Sequence, residues 1–196
     1  MAPARTRQAV PEGSYGTIPG FNGAEATAER LAATHAWHSA RTVKANPDRA
    51  QLPVRPRALE DRKHLYTAVP RMADPRPFYE LDPDTIAIPF PEAADKEGAA
   101  HAGRKVGPAQ MRPIGLVVCG SVAVNRSGAR IGKGAGYSDL EVALLIEAGL
   151  ITDATTIVAP VHGLQVVDDD IPESAHDFAV DLIVTPEELI PCPRRQ

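Results

Sequence analysis

The chain has 196 residues, 43% of them hydrophobic, and a formal net charge of −4, which suits one well-buried domain and does not indicate a nucleic-acid-binding surface. No apolar run approaches the roughly 20 residues of a membrane helix, and no apolar segment follows the basic residues at the start, so no signal peptide is expected. Cys119 and Cys192 belong to no C-x-x-C pair, which argues against a disulfide framework or a cysteine-rich zinc site and makes the cytoplasm the expected compartment. Residues 1–20 are rich in Pro, Gly and small polar residues and read as a flexible lead-in. Asn22 with Glu25 marks a helix start, continued by Ala28, Leu31 and Ala32. His35 and His38 stand i, i+3 on it, and without a third ligand they read as a solvated face. Residues 41–45 predict a short strand stopped by the turn Asn46-Pro47-Asp48. A short helix is expected around 57–61 and a strand over 65–69, together a parallel βαβ unit. Residues 72–90 read as loop and 92–102 as a short helix.

The β-branched run 114–119 predicts a strand buried on both faces, with 122–124 continuing it. Asn125-Arg126-Ser127-Gly128 turns the chain back through residues 129–131. Residues 155–159 and 182–184 are further buried strands, and Thr185-Pro186-Glu187-Glu188 reads as a terminal helical turn. The elements predict an α/β fold, a three-layer sandwich on a mostly parallel sheet, with ligands beyond the carboxyl ends of the strands. The domain is expected over 21–190, with a tail at 191–196.

The densest signal is Arg130-Ile131-Gly132-Lys133-Gly134-Ala135-Gly136-Tyr137-Ser138-Asp139. Glycines at every second position admit close backbone approach and angles closed to other residues. Strand, glycine loop and helix together present backbone N–H groups to phosphate. The spacing matches neither the Walker pattern nor the dinucleotide fingerprint. Ser138 and Glu141 have capping-box spacing, which predicts Ser138 as N-cap of a helix over 140–148. Asp139 is then either a first-turn acid or a magnesium ligand. In the acidic stretch 168–181, most carboxylates read as a solvated face. Asp181 reads as a strand-end acid holding a loop, and Asp177 as a side chain near the mouth of the sheet. His176 reads equally as structural or as a neighbour of the site.

Taken as an ordered set, the loop, Gly120-Ser121-Val122-Ala123-Val124, Gln165-Val166-Val167, His176-Asp177-x-x-x-Asp181 and Val69-Pro70-Arg71 resemble the 5-formyltetrahydrofolate cyclo-ligase (methenyltetrahydrofolate synthetase) family. The similarity is greatest to its divergent branch of methenyltetrahydrofolate synthetase domain-containing proteins. It implies a cyclo-ligase-like fold and an enzyme of one-carbon metabolism, an ATP-dependent C–N ligase. That enzyme uses ATP and Mg2+ to convert 5-formyltetrahydrofolate, a small reduced folate, into 5,10-methenyltetrahydrofolate. By that resemblance Arg130 and Lys133 are catalytic, and Arg130, Gly132, Lys133, Gly134, Ala135 and Gly136 bind the nucleotide. Lys133 and Tyr137 contact substrate, while Asp139 and Asp177 hold the metal. The chain departs from the family pattern in four places. No basic helix precedes Asn22, where Arg5 and Arg7 are the cations, and Ser138 replaces a second tyrosine. Lys133 replaces an arginine, and residues 53–57 lack the acid that the family places before the strand ending in Pro-Arg. The other reading is a non-catalytic nucleotide- or folate-binding protein that has lost the amino-terminal clamp.

Overall fold

A computed structural model describes residues 16–69, 74–134, 136–175 and 177–193. In chain order its strands are β1 (Thr42–Ala45), β2 (His64–Ala68), β3 (Phe78–Leu81), β4 (Arg104–Val106), β5 (Leu116–Val118), β6 (Ala123–Asn125), β7 (Arg130–Ile131), β8 (Thr156–Pro160), β9 (Val166–Val167), β10 (Leu182–Val184) and β11 (Leu189–Pro191). The helices are α1 (Ala24–Ala32), α2 (His35–Ser39), α3 (Val54–Glu60), α4 (Phe90–Ala93), α5 (Lys96–Ala102) and α6 (Tyr137–Glu147).

Eight strands form one sheet in the order β11-β10-β8-β5-β1-β2-β3-β4. The five from β10 to β2 are mutually parallel, and antiparallel strands close both edges. Alternation along the central strands fills both faces. Leu116 and Val118 join the core under α1 to α5, Val117 faces the layer holding Val142 and Leu145 of α6, and Cys119 packs beside the small sheet β7-β6-β9. The layers are therefore helices, sheet, and α6 with the small sheet. This is the expected three-layer α/β architecture, including the parallel β1–α3–β2 unit.

Four local expectations fail for identifiable reasons. Residues 122–124 do not continue β5, because the chain breaks at Gly120-Ser121 and β6 pairs with β7 and β9 instead. Residues 185–188 form a turn in which Thr185 Oγ1 accepts from the N–H groups of Glu187 and Glu188, and the chain then returns as edge strand β11. Residues 72–90 contain β3, whose Phe78 and Leu81 are fully buried; the surrounding prolines hid it. Asn22 does not cap α1. That role falls to Gly23 in the left-handed region at φ 92, where a Cβ would come within 2.7 Å of Pro186. Arg5, Arg7, Pro70, Arg71, Ala135 and His176 lie outside the described residues.

Candidate functional site

A cleft of about 220 Å3 opens at the carboxyl ends of the central strands. Its floor begins in β1, where Lys44 is fully buried among apolar neighbours. Burying an ammonium is costly unless it is paired, and the pairing is complete. Lys44 Nζ donates to Asn46 Oδ1 at 2.6 Å and forms an ion pair with Glu141 of α6. Asn46 Nδ2 in turn donates to Ser138 Oγ at 2.9 Å. Thus Ser138 and Glu141, one turn apart, both face the end of β1.

The expected capping box is therefore absent. Gly136, left-handed at φ 66, is the N-cap of α6, and no side chain caps the helix. A buried lysine is a stronger claimant for Glu141 than a helix N–H that water can satisfy. The helix starts at Tyr137, earlier than expected, and Asp139 lies in its first turn.

The turn 46–48 is held from below by Arg55 of α3. Its Nη1 donates to the carbonyls of Asn46 and Asp48, both at 2.9 Å, and its Nε donates to Ala94 O at 2.7 Å. Burial lowers the guanidinium to about 10, with Asp48 and Asp95 opposing the shift. Asp48 lines the cleft. Burial raises its carboxyl above the ordinary range, against the pull of Lys133 and Lys44. Gly120 leaves room for this carboxylate, since a Cβ there would stand 2.5 Å from Asp48 Oδ2.

The β6–β7 hairpin delivers Arg130. Asn125 Oδ1 accepts from Ser127 N, Ser127 Oγ and Ala129 N, fixing the turn with Gly128 at φ 90. The Arg130 side chain is 2% exposed and reaches Asp139 Oδ1 at 2.7 Å. Its guanidinium carbon lies 4.1 Å from the ring centroid of Phe178, a cation–π geometry, and Nη1 is 3.4 Å from Gly120 O. A Cβ at Gly132 would meet this Nη1 at 3.3 Å, so the glycine admits the guanidinium beside the loop. Gly134 has φ 86 and, like Gly136, takes an angle that favours glycine.

Of the residues singled out by sequence, Arg130, Gly132, Lys133, Gly136, Tyr137 and Asp139 line this one cleft. Tyr137 is 49% exposed and Lys133 is also exposed. Asp177 lies outside the cleft, in an adjoining groove along α6 that Asp139 also lines; its Oδ2 accepts from Ser174 N at 2.6 Å. Asp181 holds the start of β8, accepting from Ile157 N at 2.8 Å. His35 and His38 are exposed on α2, and among the described residues no group of three His, Cys, Asp or Glu side chains is placed to hold a metal.

Sequence reasoning missed Lys44, Asn46, Asp48, Lys96 and Glu141, all of which line or underlie the cleft. A lysine between Val43 and Ala45 in an apolar strand was the available signal. Asp48 stands inside a triplet whose turn chemistry masked its place in the cleft wall.

A glycine-loop cleft at the carboxyl edge of a mostly parallel sheet flanked by helices defines the class, an α/β protein. The chain belongs to the 5-formyltetrahydrofolate cyclo-ligase family, whose sequence profile matches residues 3–186. It is 40% identical over 178 residues to the methenyltetrahydrofolate synthase domain-containing protein of Mus musculus, covering 88% of this chain and 47% of that protein. The Bos taurus protein of the same name is 39% identical over 178 residues, covering 88% of this chain and 46% of the relative. The chain thus spans about half the length of the curated relatives it matches. The fold is shared with the Aquifex aeolicus 5,10-methenyltetrahydrofolate synthetase, with TM-score 0.60 and 19% identity over 89% of this chain and 83% of that one. A 5,10-methenyltetrahydrofolate synthetase from Mycoplasma pneumoniae aligns with TM-score 0.51 and 14% identity, over 84% of this chain and 85% of its own.

Proposed function

We propose that the chain carries out the cyclo-ligase reaction, the ATP- and Mg2+-dependent conversion of 5-formyltetrahydrofolate to 5,10-methenyltetrahydrofolate. The observation that carries this reading, beside family membership, is the convergence of Arg130, Lys133, Tyr137 and Asp139 on one cleft under the glycine loop. The formyl oxygen takes the terminal phosphoryl group of ATP and ADP departs. A neighbouring nitrogen of the ring system then attacks the activated carbon, loses its proton, and phosphate leaves. Phosphoryl transfer asks mainly for positioning and neutralisation of charge. In this reading the N–H groups of the loop cradle the phosphates and Lys133, exposed in the cleft, meets their charge. Arg130 is oriented by Asp139 and Phe178, and Tyr137 packs against the folate.

Asp139 and Asp177 fit a magnesium ion. Both line one groove beside the loop, and Mg2+ is commonly held by one or two carboxylates together with phosphate oxygens and water. When bound, the ion supplies neutralisation of the charge on the transferring group.

The test is the absorbance of methenyltetrahydrofolate formed by purified protein. Product is expected only when ATP, Mg2+ and 5-formyltetrahydrofolate are all present. Saturable binding of ATP and folate without product would overturn the proposal in favour of a non-catalytic binding protein. Arg5→Ala and Arg7→Ala belong in the same assay. If these residues replace the family's amino-terminal clamp, turnover falls on the order of a hundredfold, while nucleotide affinity changes less.

A further inference from the structure

The opposite edge of the sheet, where β1 and β2 begin, carries a second cleft of about 570 Å3. It lies between the end of α2, the corner after α3 and the approach to β5, and shares no lining residue with the glycine-loop cleft. Arg41, Arg62, Lys63 and Arg112 bring four positive charges to it and Asp61 one negative. The whole chain, by contrast, has a formal net charge of −4.

Part of this charge is used by the fold. Lys63 Nζ donates to the carbonyls of Trp37 and Ala40, both at 2.7 Å, and so completes the carboxyl end of α2. Arg62 donates to Pro83 O at 3.1 Å and pairs with Asp84. Asp61 accepts from Trp37 Nε1 at 2.8 Å and from Arg57 at 3.1 Å, so its charge is already met.

What remains is a set of polar groups without partners. Arg41 and Arg112 are exposed, and their guanidinium groups make no hydrogen bond or ion pair among the described residues. His64 lines the same cleft; its Nδ1 is buried with no hydrogen-bond partner and its Nε2 is 3.9 Å from Asp82. The corner itself is strained. Arg62 has φ 59 at the position after α3 where Lys63 N bonds to Ala58 O and Arg62 N to Leu59 O, a helix ending that ordinarily takes glycine. The arginine retained there ties residues 83–84 to the wall of the cleft.

We propose that this cleft is a second binding site, for a phosphate-bearing small molecule held by the forks of Arg41 and Arg112 beside His64. Guanidinium forks match pairs of phosphate oxygens, and a tetrahedral group accepts them from two directions at once. The volume falls in the roughly 300–1,000 Å3 range of small-molecule sites, enough for a phosphate group and an organic remainder. The site is independent of the cyclo-ligase reading.

The experiment uses the full chain with isotope-labelled histidine. The ring signals of His64 are followed by NMR during titration with inorganic pyrophosphate, with sodium chloride at matched ionic strength as the control. The His64 signals should shift saturably with pyrophosphate and not with chloride. Arg41→Ala and Arg112→Ala should each weaken binding about tenfold, and the double variant should abolish saturation. Lys133→Ala, at the other cleft, should leave the His64 response intact. Both arginines are exposed, so unchanged thermal melting will show that these variants fold. Equal shifts with chloride, or full affinity in the double variant, would overturn the proposal. Parallel titrations with ribose 5-phosphate and inorganic phosphate separate the sources: tighter binding of the sugar phosphate assigns the site to phosphorylated metabolites, and the reverse assigns it to the free anion.

Discussion

The Lys44–Glu141 pair offers the sharpest test of how the cleft is held, because its side chains are only 1% and 7% exposed. Consider Glu141→Leu, Lys44→Met and the double variant Lys44→Met/Glu141→Leu. Either single change leaves one charge inside the protein with Asn46 or nothing as its partner, and breaking a buried pair in this way costs about 3–5 kcal/mol. For a domain of this size about 1 kcal/mol corresponds to roughly 2–4 °C in Tm, so each single variant should melt about 6–20 °C lower. The double variant removes both desolvation costs and fills the space with apolar side chains, so it should recover most of the loss. Urea unfolding of all four proteins closes the double-mutant cycle, with an expected coupling of about 2 kcal/mol or more. Additive losses, or single variants within about 0.5 kcal/mol of the parent, would refute the reasoning. They would mean that water reaches Lys44 and that the pair is a surface-like contact. Ligand affinity in the recovered double variant then tells whether the ion pair only anchors α6 or also orders the cleft.

Three further outcomes follow from the same geometry. Asp139→Asn should abolish the magnesium dependence of nucleotide binding. It should also cost about 1–3 kcal/mol of stability by weakening the bond to buried Arg130. Nucleotide affinity unchanged in magnesium would make Asp139 purely structural. Burial raises the Asp48 carboxyl against Lys133 and Lys44, so the folded state favours the protonated acid. That contribution is complete below the ordinary carboxyl value of 3.8 and is lost as pH rises through the higher folded value. Asp48→Asn cannot ionise and should therefore be more stable than the parent at pH 7, with no advantage below about pH 3.8; denaturant unfolding at both pH values checks this. Phe178→Leu removes the ring over Arg130 and should cost about 0.5–2 kcal/mol. Its nucleotide affinity should fall further than that of Phe90→Leu, at the start of α4 and not among the residues lining the cleft. Equal affinities would show that stacking does not orient the guanidinium.

The sequence alone determined the central strands, the glycine loop and the layer order. Those features rest on local chemistry: β-branched runs fit a sheet buried on both faces, and alternating glycines fit a backbone that turns left-handed at residues 134 and 136. It also named one wall of the cleft, because Arg130, Gly132, Lys133, Gly136, Tyr137 and Asp139 are contiguous or nearly so. Where a side chain had two possible partners, the tertiary structure decided. Ser138 and Glu141 have the spacing of a cap, and nothing local shows that Lys44, 97 residues away in sequence from Glu141, would take the carboxylate instead. Asn46 and Asp48 carry every mark of a turn, and only the packing of Arg55 beneath them and Gly120 beside them turns that corner into a wall of the cleft. Strand β3, which lies between β2 and β4, and edge strand β11 escaped for a related reason: their proline-rich surroundings predict loop, and pairing to the sheet overrides that preference. Local pattern sets which elements form, while burial of charge, which depends on every neighbour at once, sets where the polar side chains point.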